Sequence, residues 1–599
     1  MVRAAASRRV SRPNGATLAP GTATAASPHR RQSFVLVAVL ALLMVFSGRL
    51  VVVQAFQGPG LADESLAARM HTVTIPGDRG DIVDARGRVL ATSVERYNIV
   101  VNQLQFGEAL RTRDAAVSDA AAALEPLLGV PAAELGPKLV GERQFRYLAK
   151  DLAPEVYHQV MDLEIAGVSG ERTTDRLYPA GTTGGNVLGF VGADGSAQAG
   201  VEWVHQQQLA GTPGHETYER GARGQRIPTG QEELVPAVDG ADVQLTIDRD
   251  LQFMAQSALD TQVQSSGAEW GTAVIMKVDT GEILALADSG AVDPNNPAAT
   301  PAERRQSRAV AAAFEPGSTA KVITIAEILD SGVANPTSQY VVPYLFTTPN
   351  GQTFRDSHEH PDLNLTLTGI LAESSNTGTV MVGQQVPKQV RHDYLAKFGF
   401  GVPTGAGLPG EATGALHPAD DWDGRSQFAV LFGQAVSVTA LQATQVFATI
   451  ANDGVRVQPH IVKQVTEADG TVERPALAAP QQVVGPETAN TLVRMLESAV
   501  ADGTGGHAAI PGYRIAGKTG TSQAFEGNGV QKNVASFIGI APADDPQVVV
   551  SVFLYAPKTS IYGGDVAAPV FSQVAGYALQ YLGVPPSGST PDLFPTTWQ

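Results

Sequence analysis

The stretch FEPGSTAK, Phe314–Lys321, decides how the rest of the chain is read. Pro-Gly followed by Ser-Thr is a way to start a helix, with Ser318 as the cap for free backbone N–H groups. The same letters place a hydroxyl and an amine three residues apart, about one helical turn, on one face. A serine hydroxyl becomes a nucleophile when a base takes its proton. A lysine is such a base only while neutral, a state that burial favours. Phe314 before the helix and the apolar VITIAEIL after it, as far as Ser331-Gly332, supply that burial. The helix start also offers N–H groups and a positive dipole end where an oxyanion develops. Taken alone, Ser-x-x-Lys leaves capping as the better reading, because two fixed positions recur by chance.

Two more short motifs change that balance. ESSNTG supplies Ser374 and Asn376, 56 residues after Ser318, and AGKTGTS supplies Lys518, Thr519, Gly520 and Thr521. Ser374 can relay a proton to a leaving amine, and Asn376 can hydrogen-bond a substrate amide. Lys518 brings positive field, and the hydroxyls of Thr519 and Thr521 can hold a carboxylate. Gly520 lets a substrate backbone come close to a strand. Singly, Ser-Ser-Asn is a turn and Lys-Thr-Gly the end of a hairpin. All three together, in the order of a known catalytic signature taken up below and within strand–helix–strand texture, are read as one centre of nucleophilic catalysis.

That texture begins near residue 240. DVQLTID alternates as a strand does, and Arg249–Val263 (RDLQFMAQSALDTQV) has helical periodicity. Gly271–Asp288 makes two strands around Asp-Thr-Gly, and Asn533–Tyr555 two more around Asp544-Asp545-Pro546. Strands at both ends with helices between predict an α+β domain, an antiparallel sheet flanked by a helical cluster. Upstream, Arg79–Ser93 (RGDIVDARGRVLATS) is turn-rich around the strand DIVDA. Residues 114–165 read as helical and Arg176–Gly192 as loop and short strand. The module of about 60–235 shows no chemical constellation of its own and reads as a spacer or interaction domain.

At 599 residues the chain exceeds one ordinary core, so two or more domains are expected. With 43% apolar and 17% charged residues, it folds rather than staying disordered. The net charge of −17 is uneven: residues 1–33 hold six arginines and no acid, so the remainder is six charges more negative than the total. An acidic body of this kind excludes a nucleic-acid binder. The absence of Cys excludes disulfides, thiol catalysis and Cys-ligated zinc. Residues 1–33, rich in Ala, Thr, Pro and Arg, read as a disordered tail. The 13-residue apolar run Phe34–Phe46 continues past Arg49 into LVVVQAF, giving the ~20 residues a bilayer helix needs. No small-x-small cleavage site follows, so an uncleaved signal-anchor is preferred to a cleaved signal peptide. The arginine-rich side then stays in the cytoplasm, and everything beyond about residue 56 lies outside.

The trio Ser318-x-x-Lys321, Ser374-x-Asn376 and Lys518-Thr519-Gly520 resembles the signature of penicillin-binding proteins and class A β-lactamases. The blocks RGDIVDARGRVLA, RLYPAG, VLGFVG, GVEW and LAGTPG, then LFGQAVSVTALQ and IANDG, extend the likeness to class B penicillin-binding proteins over about residues 34–585. AGVEW departs from the family's usual Glu-Gly-Ile-Glu but keeps Gly200 and Glu202 in place. The resemblance implies a penicillin-binding/serine β-lactamase-like transpeptidase domain at 239–585. Before it come an elongated α+β pedestal of dimerisation type at 56–238 and a single transmembrane helix at 34–55; a short C-terminal tail follows at 586–599. No glycosyltransferase domain fits between anchor and pedestal, which sets aside a bifunctional class A enzyme.

The implied activity is that of a monofunctional D,D-transpeptidase cross-linking peptidoglycan stem peptides. Ser318 attacks the penultimate D-Ala carbonyl, D-alanine leaves, and an amine from a neighbouring stem peptide resolves the acyl-enzyme. By the same resemblance Lys321, Ser374, Asn376 and Lys518 are catalytic, and the backbone N–H groups of Ser318 and Thr521 form the oxyanion hole. Asn376, Thr519, Gly520 and Thr521 bind substrate, and penicillin acylates the same serine. No cofactor and no metal are implied. The long basic tail and the pedestal blocks look more like the cell-division branch, septal in location, than the elongation branch. The implied partners are a lipid-linked precursor polymer, a polytopic shape-elongation-division glycosyltransferase touching anchor and pedestal, and other divisome membrane proteins.

Other readings use the same residues. A β-lactam hydrolase or sensor shares the trio; hydrolysis needs a base for the deacylating water, and Glu373 and Glu411 are the candidates in sequence. An elongation-specific transpeptidase differs only in branch, and the intact trio disfavours a scaffold without chemistry. SHEHPD, Ser357–Asp362, reads as a solvated loop near the cleft rather than a metal site. GTGGH, Gly503–His507, lacks the Lys-Ser/Thr ending of a phosphate loop and reads as the turn before the Lys-Thr-Gly strand. Trp203 and Trp422 read as packed aromatics.

Overall fold

The computed structural model describes residues 28–112, 116–192, 194–221, 225–525 and 531–599, so the tail expected to be disordered lies outside them up to residue 27. The chain forms two compact units, the first running to Thr72 with Thr217–Glu233, the second comprising Val73–Glu216 and Leu234–Gln599. In the first, helix α1 (Pro28–Val51) runs on through a π-helical turn, Val52–Gln57. It begins six residues before the apolar run, so Arg30 and Arg31 belong to its first turn. From His29 to Gln57 it is long and apolar enough to cross a bilayer. Its large apolar side chains, Phe34, Leu40 and Phe46 among them, are exposed, as a lipid-facing helix requires.

In the second unit β1 (Ile82–Val83), β2 (Val89–Val101), β3 (Arg146–Leu152), β4 (Val168–Leu177) and β5 (Asp242–Leu245) belong to one pedestal sheet. Beyond them come α2 (Arg249–Ser266), β6 (Trp270–Lys277), β7 (Ile283–Asp288) and α3 (Lys321–Asp330). Next are α4 (Leu367–Ala372), α5 (Asn376–Gly383), α6 (Ala440–Ala451), β8 (Val462–Thr466) and α7 (Pro486–Ala501). The chain closes with β9 (Ala516–Phe525), β10 (Gln531–Ala541), β11 (Val548–Tyr555) and α8 (Ala568–Tyr581). The segment read as helical over 114–165 does hold helices at Val117–Leu128, Ala132–Leu139 and Pro154–Met161, but β3 interrupts it. Pairing with β2 decides that conformation, against a weak local pattern. The loop after β4 closes in a short helix, Gly185–Leu188, not a strand.

β1 pairs antiparallel with β2 and parallel with β5, and β5 pairs with β8. Strands from beyond residue 239 therefore complete the pedestal sheet. Three sequence blocks of the pedestal converge on one buried carboxylate. Glu202 accepts from Arg79 (2.6 Å), Arg176 (2.8 Å) and the Tyr178 hydroxyl (3.1 Å). A second network ties the RGDIVDARGRV turn to the start of the catalytic segment. Arg88 bridges Asp84, Asp248 and Asp250, and Tyr581 of α8 donates to Asp248.

The catalytic sheet has the order β7-β6-β11-β10-β9 with every pair antiparallel. β6 (WGTAVIMK) lacks a polar face because both faces are covered. Ala273 and Ile275 join a core with α2 and α8; Val274 and Met276 join the other with α3 and α6. α2 is capped by Asp248, which accepts from the N–H of Asp250 (2.9 Å) and Leu251 (3.3 Å), and it stops at Gly267 with φ +64°. β9, at the edge, pairs on one side only, with β10.

Part of the 586–599 segment, expected as a tail, is bonded to the catalytic body. The Thr366 N–H donates to Thr596 O (3.1 Å), the Thr366 hydroxyl to Pro595 O (2.6 Å) and Trp598 Nε1 to Tyr340 O (3.1 Å). Thr366 is the N-cap of α4, the helix that leads to Ser374. A Cβ at Gly369 would stand 1.8 Å from Thr596 O, so this strap needs a glycine beneath it.

Candidate active site

Three segments meet at a cleft of ≈ 1020 Å³ whose lining includes Ser318, Ser374, Asn376, Thr519 and Thr521. The first is a 3-10 turn, Gly317–Ala320, leading into α3. Gly317 has φ +55°, and a Cβ there would lie 2.7 Å from Ser522 Cβ and 2.8 Å from Thr521 O. Its N–H donates to Gly433 O (3.0 Å), and a Cβ at Gly433 would fall 2.1 Å from Gly317 O. The turn is therefore wedged between β9 and the Gly433 loop with no room for a side chain. Ser318 does not cap the helix, contrary to the sequence reading: the turn has no side-chain cap, and Thr319 is the residue whose hydroxyl bonds back, to Pro316 O (2.8 Å). Half-buried, Ser318 faces the cleft instead.

Lys321 is 0% exposed. Its Nζ donates to the Ser374 carbonyl and lies 3.3 Å from Ser374 Oγ. Burial and then the charge of Lys518 hold Lys321 well below the usual lysine range, against a smaller opposing pull from Asp356. The second segment, the joint between α4 and α5, puts Ser374 at φ +60°, a left-handed conformation rare for serine, where both its carbonyl and its hydroxyl reach Lys321.

The third segment is β9. Lys518 is buried, with Nζ 3.2 Å from Thr519 O and 3.3 Å from Thr519 Oγ1, and burial pushes it down to about 7 while Glu373 opposes that shift. Thr519 and Thr521 alternate toward the cleft. Gly520 does not line it. A Cβ there would meet Ser536 Oγ at 2.3 Å and Thr319 Cγ2 at 2.9 Å, so this glycine leaves room for the turn that carries Ser318.

Two family models match the chain: the penicillin-binding protein transpeptidase domain over residues 271–576 and the penicillin-binding protein dimerisation domain over 74–245. The chain belongs to the class B penicillin-binding proteins. The penicillin-binding protein PbpB of Mycolicibacterium smegmatis is 35% identical, over 92% of this chain and 90% of its own length. The peptidoglycan D,D-transpeptidase FtsI of Escherichia coli K12 is 31% identical, over 92% of each. The solved structure of penicillin-binding protein 3 from Mycobacterium tuberculosis complexed with aztreonam is 31% identical, with a TM-score of 0.68, covering 88% of this chain and all of that one.

Within this penicillin-binding protein, several residues outside the motifs belong to the same cleft. Thr504, from the GTGGH turn, shares a hydrogen bond with Thr519 (2.7 Å between hydroxyls). Arg425 stacks on Phe354, 4.5 Å from its ring centroid, and both line the cleft. Buried Asp356 accepts from the backbone N–H of Asn376 (2.5 Å) and Thr377 (3.0 Å). Nothing local marks Asp356, which precedes Ser374 in an irregular loop. The SHEHPD segment is not simply solvated: His358 is exposed in the cleft, whereas His360 is packed against Asp356, 3.0 Å from its carboxylate. Glu373 lines the cleft, but Glu411 is consumed by its own loop, accepting from Thr404 Oγ1 (2.8 Å), Gly405 N (3.0 Å) and Ala406 N (2.8 Å). Trp422 is packed as expected; Trp203 is 56% exposed and is not.

Proposed function

We propose that this class B penicillin-binding protein is a peptidoglycan D,D-transpeptidase that works through a Ser318 acyl-enzyme. The observation that carries the reading is Lys321, a buried amine held well below the usual lysine range, one turn from a cleft-facing serine and bonded to Ser374. As a neutral base it takes the Ser318 proton while Oγ attacks the penultimate D-Ala carbonyl carbon. The displaced electron pair settles on the carbonyl oxygen, which the backbone N–H groups of Ser318 and Thr521 receive. Collapse of that intermediate breaks the C–N bond, and the proton passes from Lys321 through Ser374 to the departing D-alanine amine. An amine of a second stem peptide then attacks the ester and loses its proton along the same relay, and Ser318 regains its own. Asn376 holds the donor's amide, and Thr519, Thr521 and Lys518 hold its terminal carboxylate. The E. coli relative named a peptidoglycan D,D-transpeptidase and the aztreonam complex of a similar structure support this substrate class and β-lactam acylation of Ser318.

In this reading the arginine-rich end is cytoplasmic, α1 is the anchor over 34–55, and the pedestal (56–238) and catalytic body (239–585) lie outside. The protein acts at the septum, with a polytopic glycosyltransferase and other divisome membrane proteins as partners. The basic tail and the pedestal blocks support the septal branch. A uniform lateral signal from a tagged protein would move it to the elongation branch. Glu373 in the cleft keeps a hydrolase as the second reading. A labelled penicillin decides between them: the transpeptidase holds the label for minutes or longer, and release within seconds identifies a hydrolase.

A further inference from the structure

Ser374 does its work from a strained backbone, and a strained conformation persists only where its surroundings hold it. The three residues that follow it are all held by Asp356. One carboxylate oxygen takes the N–H of Asn376 (2.5 Å) and Thr377 (3.0 Å), the first two residues of α5. The other takes the hydroxyls of Ser375 (2.7 Å) and Thr377 (3.2 Å). Asn376 is also tied through its side-chain amide to Arg355 O (3.3 Å), one residue before Asp356. The carboxylate sits at the N-terminus of α5, where negative charge is favoured.

His360 completes the arrangement. Its Nε2 is 3.0 Å from the Asp356 oxygen that takes the hydroxyls, and its Nδ1 is 2.7 Å from Pro361 O. A carbonyl oxygen only accepts and a carboxylate oxygen accepts, so this geometry suits a ring with a hydrogen on each nitrogen. The groups facing it agree: Asp356 and Asp362 are the nearby charges, the His358 ring lies 5.8 Å away, and Tyr344 presents an edge-on ring at 5.8 Å. Burial lowers the His360 value, but the Pro361 carbonyl and the two carboxylates outweigh it and the net shift is upward.

We propose that Asp356 and His360 are a positioning pair for the transpeptidase centre: the carboxylate clamps Ser375–Thr377 so that Ser374 stays turned toward Lys321, and doubly protonated His360 fixes the carboxylate. The inference rests on the transpeptidase reading. When His360 loses its second proton, one of its two acceptors faces a lone pair, and the clamp loosens. Asp356, relieved of its cation, then stabilises the charged form of Lys321 more strongly, so less of that amine is neutral and free to take a proton. Both effects act in the same direction.

The test is the rate of Ser318 acylation by a fluorescent penicillin, measured on the full-length protein in detergent across pH. His360→Gln should acylate about tenfold slower than wild type near pH ~6, where the wild-type ring carries both protons. The gap should close to within about twofold near pH ~9, where both proteins lack the second donor. A gap of equal size at both pH values would make His360 a space-filling residue and overturn the proposal, as would no gap at all. Asp356→Asn should slow the acylation step itself by about 30-fold, leaving the affinity of the initial penicillin complex within about threefold; an unchanged rate overturns the clamp. A wild type that takes no label at any pH would instead bring down the transpeptidase reading, and this inference with it.

Discussion

The turn that carries Ser318 and the joint that carries Ser374 flank one buried lysine, and different physics holds each. The turn is fixed by contact. Gly317, Gly433 and Gly520 each stand where an added Cβ would meet its neighbours at 2.7 Å or less, and no side chain caps the turn. The joint is fixed by polar bonds, with Asp356 accepting from Ser375, Asn376 and Thr377 and paired with His360. A steric clamp tolerates no extra atom and ignores pH, whereas a polar clamp depends on who carries the protons. One buried lysine is thus flanked by a rigid partner and a titratable one.

The largest effect expected from breaking this pairing is at the lysine itself. Lys321→Met should slow acylation by about 10³-fold, the range of a lost general base; a loss smaller than about tenfold would mean another group takes the serine's proton. Gly317→Ala comes next, with a deficit of roughly 100-fold from displacing Ser318 by a fraction of an ångström. That deficit should be the same at every pH, in contrast to His360→Gln, and a pH-dependent deficit would erase the distinction between the two clamps.

Lys518 sharpens the comparison through stability. Its folded-state value, about 7, lies below the usual lysine value of roughly 10.4. The folded state therefore gives up its proton first, and stability gains from rising pH between those two values. At lower pH the buried cation's destabilisation is fully present. Lys518→Met should raise the thermal midpoint by a few degrees near pH ~6, lose that gain by pH ~10, and impair acylation throughout. A gain that does not change with pH would show that packing, not charge, sets the difference. The last break, with the smallest expected effect on acylation, is removal of the strap beyond Ser589. The three hydrogen bonds to Thr366 and Tyr340 go with it, as do those of Trp598 N to Asn364 O (3.3 Å) and Phe594 N to Ser498 Oγ (3.1 Å) and the Arg494–Asp592 ion pair; at about 1 kcal/mol for each hydrogen bond, the midpoint should fall by several degrees. An unchanged midpoint would return the segment to the status of a loose tail.

Much of this architecture was legible because its signals are local. The hairpins around Asp-Thr-Gly and Asp-Asp-Pro announce four of the five strands of the catalytic sheet, and the helical periodicity of Arg249–Val263 marks α2. Ser318, Lys321, Ser374, Asn376, Thr519 and Thr521 could be named because their motifs are short. What escaped is what depends on depth. Ser-Thr after Pro-Gly suggests a cap, but the turn packs too tightly on β9 for Ser318 to serve as one. Gly520 also makes room for Thr319 and Ser536, neighbours that no local pattern displays. Asp356 carries no pattern because four of its five carboxylate contacts reach about 20 residues along the chain, two of them to backbone N–H groups. The Pro-, Ser- and Thr-rich C-terminus looks like a tail because its bonds are made mostly by backbone groups that sequence does not display.

The central claim, that Ser318 is the nucleophile activated by a neutral buried lysine, is tested most directly by locating a covalent penicillin adduct. The protein is treated with penicillin, its intact mass measured over time, and the modified peptide sequenced. The account predicts one adduct, on Ser318, lasting minutes or longer and absent from Ser318→Ala. An adduct on another residue, or one on Ser318 that is gone within seconds, would contradict it.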